Sequence, residues 1–188
     1  GSARVPLMVA GPGVTPRLVN EPVSTLDINP TLADLAGIDI GEILPWTDGE
    51  SLVPLMQGGK RTTPVLMEYT AEGSQAPLVC IREGDWKFSH CELDPPMLFN
   101  LKDDPQELTN LAADPANAAL VAEWMERVRA HWDMARFDAD IRQSQARRWV
   151  VYEALRNGAY FPWDYQPLQK ASERYMRNHL DLNILEES

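Results

Sequence analysis

The chain has 188 residues, of which 44% are hydrophobic, so it can form one domain of ordinary size or two small ones. Its formal net charge of -11 argues against binding to nucleic acid or to an anionic membrane surface. No apolar run approaches the ~20 residues that a membrane-spanning helix needs, and no signal peptide is recognisable at the start.

The first predicted element is a strand, Val5 to Ala10. Its residues are almost continuously apolar, as in a parallel strand that is covered on both faces. Arg4, at the start of the strand, is predicted to form a structural ion pair. A parallel strand needs neighbouring strands, which the rest of the sequence does not obviously supply. We therefore expect the chain to be a piece of a longer protein.

A helix is predicted next. Ser24 and Asp27, followed by Asn29-Pro30, are typical of a helix N-terminus, where a polar side chain caps and a proline occupies the first turn. Gly37 is predicted to end the helix in the left-handed conformation. The strand and the helix would form half of a βαβ unit. The buried face is expected to comprise Ile28, Leu32, Leu35 and Ala36.

Short apolar runs in the middle of the chain predict a small antiparallel sheet, with Glu83-Gly84-Asp85 as a hairpin turn. We expect one face of the sheet to be polar. The other face is expected to be covered by a helix from Ala116 to Trp132, whose apolar residues fall four apart. The predicted strands are Pro64 to Tyr69, Pro77 to Arg82, Trp86 to His90 and Leu98 to Leu101.

The last of these strands runs into a predicted helix start. Asp104 can cap, Pro105 suits the first helical position, and Glu107 can reach back to the cap. On physical grounds this stretch is a structural corner without chemistry.

The last fifty or so residues differ from the rest. A long helix is predicted from Phe137 to Asn157, followed by an aromatic-rich extended segment at Ala159 to Tyr165 and a short helix at Pro167 to His179. So many aromatic side chains without a core of their own should dock on another surface. Docking on the parent domain and docking on another subunit are both open.

The cysteines and histidines give little sign of chemistry. Cys80 and Cys91 are too few for a disulfide framework, although one bridge or two free thiols would fit the predicted strands. The three histidines, His90, His131 and His179, show no metal-ligand spacing. We expect this chain alone to catalyse nothing.

Several motifs resemble those of the type I sulfatases of the alkaline-phosphatase superfamily. The motif L-F-N-L-x-x-D-P-x-E-x-x-N-L at Leu98 to Leu111 is similar to a signature near the C-terminal end of these enzymes. Earlier motifs agree in order and spacing: R-V-P-L, D-I-x-P-T-L-x-D-L-A-G-I, D-G-x-S-L-x-P-L and I-R-x-G-x-x-K-F. The stretch from Ser144 to Asn178 resembles the C-terminal extension of the choline sulfatases, which ordinary arylsulfatases lack.

This resemblance implies an α/β fold, namely the C-terminal part of an alkaline-phosphatase-like sulfatase. Residues 1–59 would end the α/β domain, residues 60–135 would form the small antiparallel α+β subdomain, and residues 136–188 would form a helical oligomerisation extension. The resemblance also implies a cytoplasmic homo-oligomer, a tetramer or dimer, that hydrolyses choline-O-sulfate. The formylglycine nucleophile and the divalent cation, Ca²⁺ or else Mn²⁺ or Mg²⁺, would belong to the upstream part of the protein.

Within this chain the resemblance points to residues that recognise the substrate. Glu72, in the loop after the first strand, is the preferred carboxylate for the quaternary ammonium of choline, and Glu68 is the second choice, expected to point into the sheet. Asp181 and Asn183 in the tail are further candidates; the family's acidic position holds Asn183 here. The alternatives are an arylsulfatase, a phosphonate monoester hydrolase, or a non-catalytic oligomerisation module.

Overall fold

The structure is a computed structural model that describes residues 5–43, 45–61, 63–71 and 73–157. The chain divides into two compact units, Gly1–Asp138 and Ala139–Ser188, which are described separately below. In the described part of the chain, no helix combines the length and the apolar character needed to cross a membrane.

The first unit begins with short helices. A 3₁₀ turn, Thr25–Asp27, leads into α1 (Ile28–Leu35), which is followed by α2 (Ile40–Ile43) and α3 (Val53–Met56). Ser24 and Asp27 form a capping box: the hydroxyl of Ser24 accepts the backbone N–H of Leu26, and the carboxylate of Asp27 accepts that of Ser24. Gly37 ends α1 with φ of 71°. The predicted helix and its end at Gly37 are confirmed, but Asn29-Pro30 is not its start, because α1 already begins at Ile28.

The strand predicted at Val5 to Ala10 is wrong. These residues have no regular secondary structure and are exposed; Met8, for example, is 91% accessible to solvent. The predicted buried face of α1 is exposed as well, with Leu32 at 60% and Leu35 at 54%. Instead α1 buries Pro30 and Thr31. Apolar sequence favours burial, but a strand also requires a partner for its backbone hydrogen bonds, and the described sheet offers none to this segment.

The antiparallel sheet is confirmed. Its strands pair in the order of the sequence and each strand is antiparallel to its neighbours. Gly84 and Asp85 connect the second and third strands, and Gly84 has φ of 51°, which glycine adopts without steric cost. The strands are β1 (Val65–Tyr69), β2 (Leu78–Glu83), β3 (Trp86–Cys91) and β4 (Asp94–Asn100).

A helix, α4 (Ala118–His131), covers one face of this sheet, as predicted. Trp124 and Val128 of α4 are buried in the core cluster, and the ring of Trp124 stacks on Phe88 with the centroids 6.0 Å apart. The sheet contributes four fully buried side chains to this core: Val79, Ile81, Phe88 and Leu98.

The opposite face of the sheet was predicted to be polar, and that prediction is wrong. Cross-strand pairing places Val65, Cys80, Cys91 and Phe99 on this face, and all four are buried. The polar residues between them are held close to the sheet. The ammonium of Lys87, for example, lies 6.0 Å from the centre of the Phe99 ring and pairs with the carboxylate of Glu107.

After β4 the chain forms a turn at the place where a helix was expected to begin. Asp104 accepts the backbone N–H of Thr109 at 2.8 Å, but Glu107 has φ of 58° and therefore interrupts any helix there. The carboxylate of Glu107 does not reach back to the cap; it lies 2.5 Å from Nζ of Lys87. The helix start predicted at Asp104 is thus wrong, and the structural corner is a capped turn.

The long helix predicted in the last part of the chain is confirmed as α5 (Met134–Arg156), which starts in the first unit and continues into the second. Within the second unit the rings of Trp149 and Tyr152 contact each other, with centroids 5.3 Å apart. The aromatic-rich segment, the short helix at Pro167 to His179 and the tail lie outside the described residues.

Candidate functional site

The substrate-recognition residues expected from the resemblance, Glu72, Asp181 and Asn183, lie outside the described residues. The structure does describe the strand that leads to Glu72. β1 ends at Tyr69, and the chain then passes through residues 70–77 before it re-enters the sheet as β2. We call residues 70–77 the recognition loop.

Glu68, the second choice for the carboxylate, lies on the face of the sheet that α4 covers, because it pairs across the strands with the core residue Val79. Its side chain is exposed at the edge of the sheet. Oε1 of Glu68 accepts a hydrogen bond from the indole N–H of Trp132 at 2.7 Å. Glu68 therefore already has a protein partner at the base of the recognition loop.

The described part of the recognition loop is a compact turn. The backbone N–H of Ser74 donates to the carbonyl of Ala71 at 3.3 Å, and the hydroxyl of Ser74 donates to the carbonyl of Ala76. Gly73 has φ of 81°, which a side chain would oppose. The pairing of Tyr69 with Leu78 closes the loop at its base.

Two motifs taken from the resemblance are joined by hydrogen bonds. Asp27 and Thr31, from D-I-x-P-T-L, accept the backbone N–H groups of Glu50 at 3.0 Å and Leu52 at 2.8 Å, from D-G-x-S-L. A Cβ atom at Gly49 would overlap the carbonyl of Leu26, so only glycine fits where the two segments cross. These motif residues therefore hold the backbone around α1 against the segment at residues 49–52.

Arg61 binds at this junction, and nothing in the sequence predicted its role. Its guanidinium lies 2.5 Å from Oδ2 of Asp27 and 3.1 Å from the carboxylate of Glu50. The side chains of Arg61 and Asp27 are 5% and 0% exposed. No motif marks Arg61, and only the fold brings it back to α1.

The later motifs have similar roles. Arg82 donates to the carbonyls of Gly84 and Trp86, and so holds the hairpin turn. Asn110 accepts the backbone N–H of Leu98 at 3.0 Å and donates to the carbonyl of Pro96 at 3.1 Å, which fixes the corner on β4. In these motifs of the first unit, the residues named above therefore have structural roles.

Among the described residues, three ionisable groups have shifted pKa values. Burial raises the pKa of the Cys80 thiol, despite a hydrogen bond from Ser89. Burial also lowers the pKa of the Arg82 guanidinium. The pKa of Asp104 is lowered because its carboxylate accepts the backbone N–H groups of Leu108 and Thr109. These shifts belong to the sheet and the corner, and none marks a catalytic group.

The described residues contain no group of three His, Cys, Asp or Glu side chains placed to hold a metal ion. Cys80 and Cys91 are buried free thiols, so the structure pairs neither. The ring of His90 is buried; Nε2 lies 3.2 Å from Glu92, and Nδ1 has no hydrogen-bond partner in the described structure.

The two units match two families. Residues 1–133 match the family described as N-sulphoglucosamine sulphohydrolase, C-terminal. The chain therefore belongs to this sulfatase family. Residues 139–188, which coincide with the second unit, match the family described as choline sulfatase enzyme C terminal. The resemblance to choline sulfatases is confirmed.

Individual relatives agree. The chain is 65% identical to a choline-sulfatase of Rhizobium meliloti (strain 1021), over 100% of this chain and 37% of that protein. It is 38% identical to arylsulfatase K of Gallus gallus, over 60% of this chain and 23% of that protein. A solved 2-O GAG sulfatase has a TM-score of 0.50 and 32% identity, over 63% of this chain and 26% of that one. The chain thus spans about a third of these relatives or less.

Proposed function

We propose that the protein to which this chain belongs hydrolyses choline-O-sulfate to choline and sulfate. The observation that carries the proposal is the 65% identity to a choline-sulfatase along the entire chain. That identity includes the extension at residues 139–188, whose family is defined by choline sulfatases. The test is turnover of choline-O-sulfate by the full-length protein; release of sulfate supports the proposal, and its absence contradicts it.

In this proposal the chain supports and completes an active site built elsewhere in the protein. The upstream part supplies the formylglycine nucleophile and a divalent cation, Ca²⁺ or else Mn²⁺ or Mg²⁺, that stabilises the sulfuryl oxygens. Residues 1–59 end the main α/β domain, residues 60–135 form the subdomain, and residues 136–188 form the extension. A cytoplasmic location is supported by two buried free thiols.

Glu72 is the proposed carboxylate for the quaternary ammonium, which cannot donate a hydrogen bond and is bound by negative charge and aromatic faces. We expect Glu72→Gln to weaken turnover of choline-O-sulfate and to spare a neutral alkyl sulfate, since the charge acts only on the ammonium. Equal losses on both substrates would show that Glu72 has a structural role.

The extension is proposed to pack across subunits of a homo-oligomer, a tetramer or a dimer, and to place Asp181 and Asn183 at the neighbour's active site. Its aromatic content supports this, because residues 159–165 include Tyr160, Phe161, Trp163 and Tyr165. Truncation after Gly158 should reduce the subunit count measured by light scattering. Truncation after Leu180 should keep the oligomer and raise KM. An unchanged subunit count after the long truncation contradicts the proposal.

The second candidate function is that of an arylsulfatase. It is favoured by the 38% identity to arylsulfatase K of Gallus gallus, although that match covers only 60% of this chain. Rates on aryl sulfates, phosphonate monoesters and choline-O-sulfate separate these activities. A stable oligomer without any of the three activities would instead indicate a non-catalytic oligomerisation module.

A further inference from the structure

We infer that the hydrogen bond between Glu68 and Trp132 positions the recognition loop, an inference that rests on the proposed function of Glu72. β1 lies at the edge of the described sheet and pairs there only with β2. The end of an edge strand is held from one side and opens more easily than a central strand. The recognition loop leaves the sheet at this end, so its direction depends on how firmly the strand is held.

Trp132 provides a rigid partner for the strand end. Its backbone N–H donates to the carbonyl of Val128 at 2.9 Å, which fixes the residue at the end of α4. The indole ring packs against the core cluster, and the ring of His131 contacts it with centroids 5.7 Å apart. The core therefore determines where the indole N–H lies, and the hydrogen bond to this N–H determines where the side chain of Glu68 lies.

The turn within the loop transmits this position. Tyr69 pairs with Leu78 at the base of the loop, and the hydrogen bonds of Ser74 to Ala71 and Ala76 tie its described residues together. A displacement of the end of β1 should therefore move the recognition loop as a unit and carry Glu72 away from the ammonium.

Glu68 can be distinguished experimentally from a residue that binds the ammonium directly. A positioning role needs only an oxygen that accepts the indole N–H, and the side-chain amide of glutamine keeps that oxygen. A direct role needs the negative charge, which glutamine lacks. Glu68→Gln and Glu68→Ala should therefore differ if Glu68 positions the loop, and should agree if its charge binds the substrate.

The experiment measures kcat and KM of the full-length protein for choline-O-sulfate. Glu68→Ala and Trp132→Phe should each raise KM about 3- to 10-fold with little change in kcat, as expected for one lost hydrogen bond. The double variant should be no worse than either single one, because both remove the same bond. Glu68→Gln should restore KM to near that of the wild type. None of these variants should change KM for a neutral alkyl sulfate.

Glu83→Ala is the matched control. Glu83 ends β2 at the opposite end of the sheet, and its carboxylate pairs with Arg127 of α4 at 2.7 Å. The variant thus removes another link between sheet and helix that lies away from the loop, and its KM should stay at the wild-type value. An equal rise of KM in Glu83→Ala would overturn the inference, because it would indicate general loosening of the subdomain. A loss in Glu68→Gln as large as in Glu68→Ala would overturn it as well.

Hydrogen exchange tests the inference independently of the substrate. The backbone amides of residues 69–78 should exchange several-fold faster in Glu68→Ala and Trp132→Phe than in the wild type and in Glu83→Ala. If exchange is unchanged, the bond does not hold the loop. If the wild-type protein fails to release sulfate from choline-O-sulfate while exchange changes as expected, the proposed function fails and the positioning of the loop stands.

Discussion

Replacement of Asp27 with alanine would break the buried junction between α1 and the segment that precedes the sheet. The carboxylate of Asp27 is fully buried and accepts the backbone N–H of Ser24 at 2.7 Å and that of Glu50 at 3.0 Å. It also accepts both terminal nitrogens of Arg61, at 2.5 and 3.3 Å. Alanine would leave two backbone donors and a buried guanidinium without this acceptor.

The expected loss follows from what Arg61 retains. Removal of one partner from a buried ion pair typically costs about 3–5 kcal/mol, because the other charge stays buried. Arg61 keeps the carboxylate of Glu50 at 3.1 Å and the carbonyl of Thr63 at 2.9 Å, so the loss should lie at the lower end. We expect a fall of about 3 kcal/mol in the free energy of unfolding, or about 10 °C in Tm.

Urea unfolding of the 188-residue chain, followed by tryptophan fluorescence, measures this loss. The control is Asp34→Ala on the same helix, where the carboxylate only accepts an exposed hydrogen bond from Ser51 at 2.6 Å. The double variant Asp27→Ala/Arg61→Met should be more stable than Asp27→Ala, because it removes the stranded charge. A loss in Asp27→Ala no larger than in Asp34→Ala would refute the reasoning.

Further predictions concern the backbone crossing, a buried thiol and the corner. Gly49→Ala should destabilise the chain by about 2 kcal/mol or more in the same urea assay, because its Cβ would meet the backbone of Leu26. Cys80 should react with iodoacetamide only on unfolding, as mass spectrometry can show, because burial raises the pKa of its thiol. Backbone N–H groups lower the pKa of Asp104, so the stability it contributes is present above its unfolded pKa of ~3.9 and is lost as pH falls through the lower folded value. A carbon-13 NMR titration should show that low value, and Asp104→Asn should weaken the pH dependence of stability in that window.

The sheet and the helix that covers it could be predicted because their signals are local. Gly84 in the turn sets the register of β2 against β3, and a side-chain period of two then decides which residues share a face. The apolar residues of α4 fall four apart, and Trp124 and Val128 are buried as that spacing predicts. Local pattern and tertiary contact agree in these elements.

Burial could not be predicted where it depends on a partner. Val5 to Ala10 and the Leu32 face of α1 have the composition of a buried strand and a buried helix face, yet both are exposed in this chain. Composition reports how much a side chain gains from leaving water, whereas burial needs a complementary surface at that position. The prediction of a polar face for the sheet was wrong in the opposite direction, because this face is buried. Lys87 and Glu107 form an ion pair there, and Phe99 is buried beside them.

The candidate recognition residues show a different limit of prediction from sequence. Glu72, Asp181 and Asn183 were inferred from resemblance alone, because a solvated carboxylate and one that binds an ammonium look the same in a sequence. The bond that we assign to positioning, from Trp132 to Glu68, joins residues 64 positions apart, and no local pattern predicts such a pair. Only the fold, which brings the end of α4 to the edge of β1, makes the pair visible.

The sulfatase motifs of the first unit say little about the substrate. Asp27, Thr31 and Gly49 join two backbone segments, and Arg82 and Asn110 hold a hairpin and a corner. These contacts serve any ester that a sulfatase of this fold hydrolyses, because none of them depends on the alcohol. Under the proposed function, specificity resides in two other segments of this chain, the recognition loop and the extension at residues 139–188. Grafting the recognition loop alone into an arylsulfatase should therefore transfer little activity on choline-O-sulfate, whereas grafting it together with β1, Trp132 and the extension should transfer more.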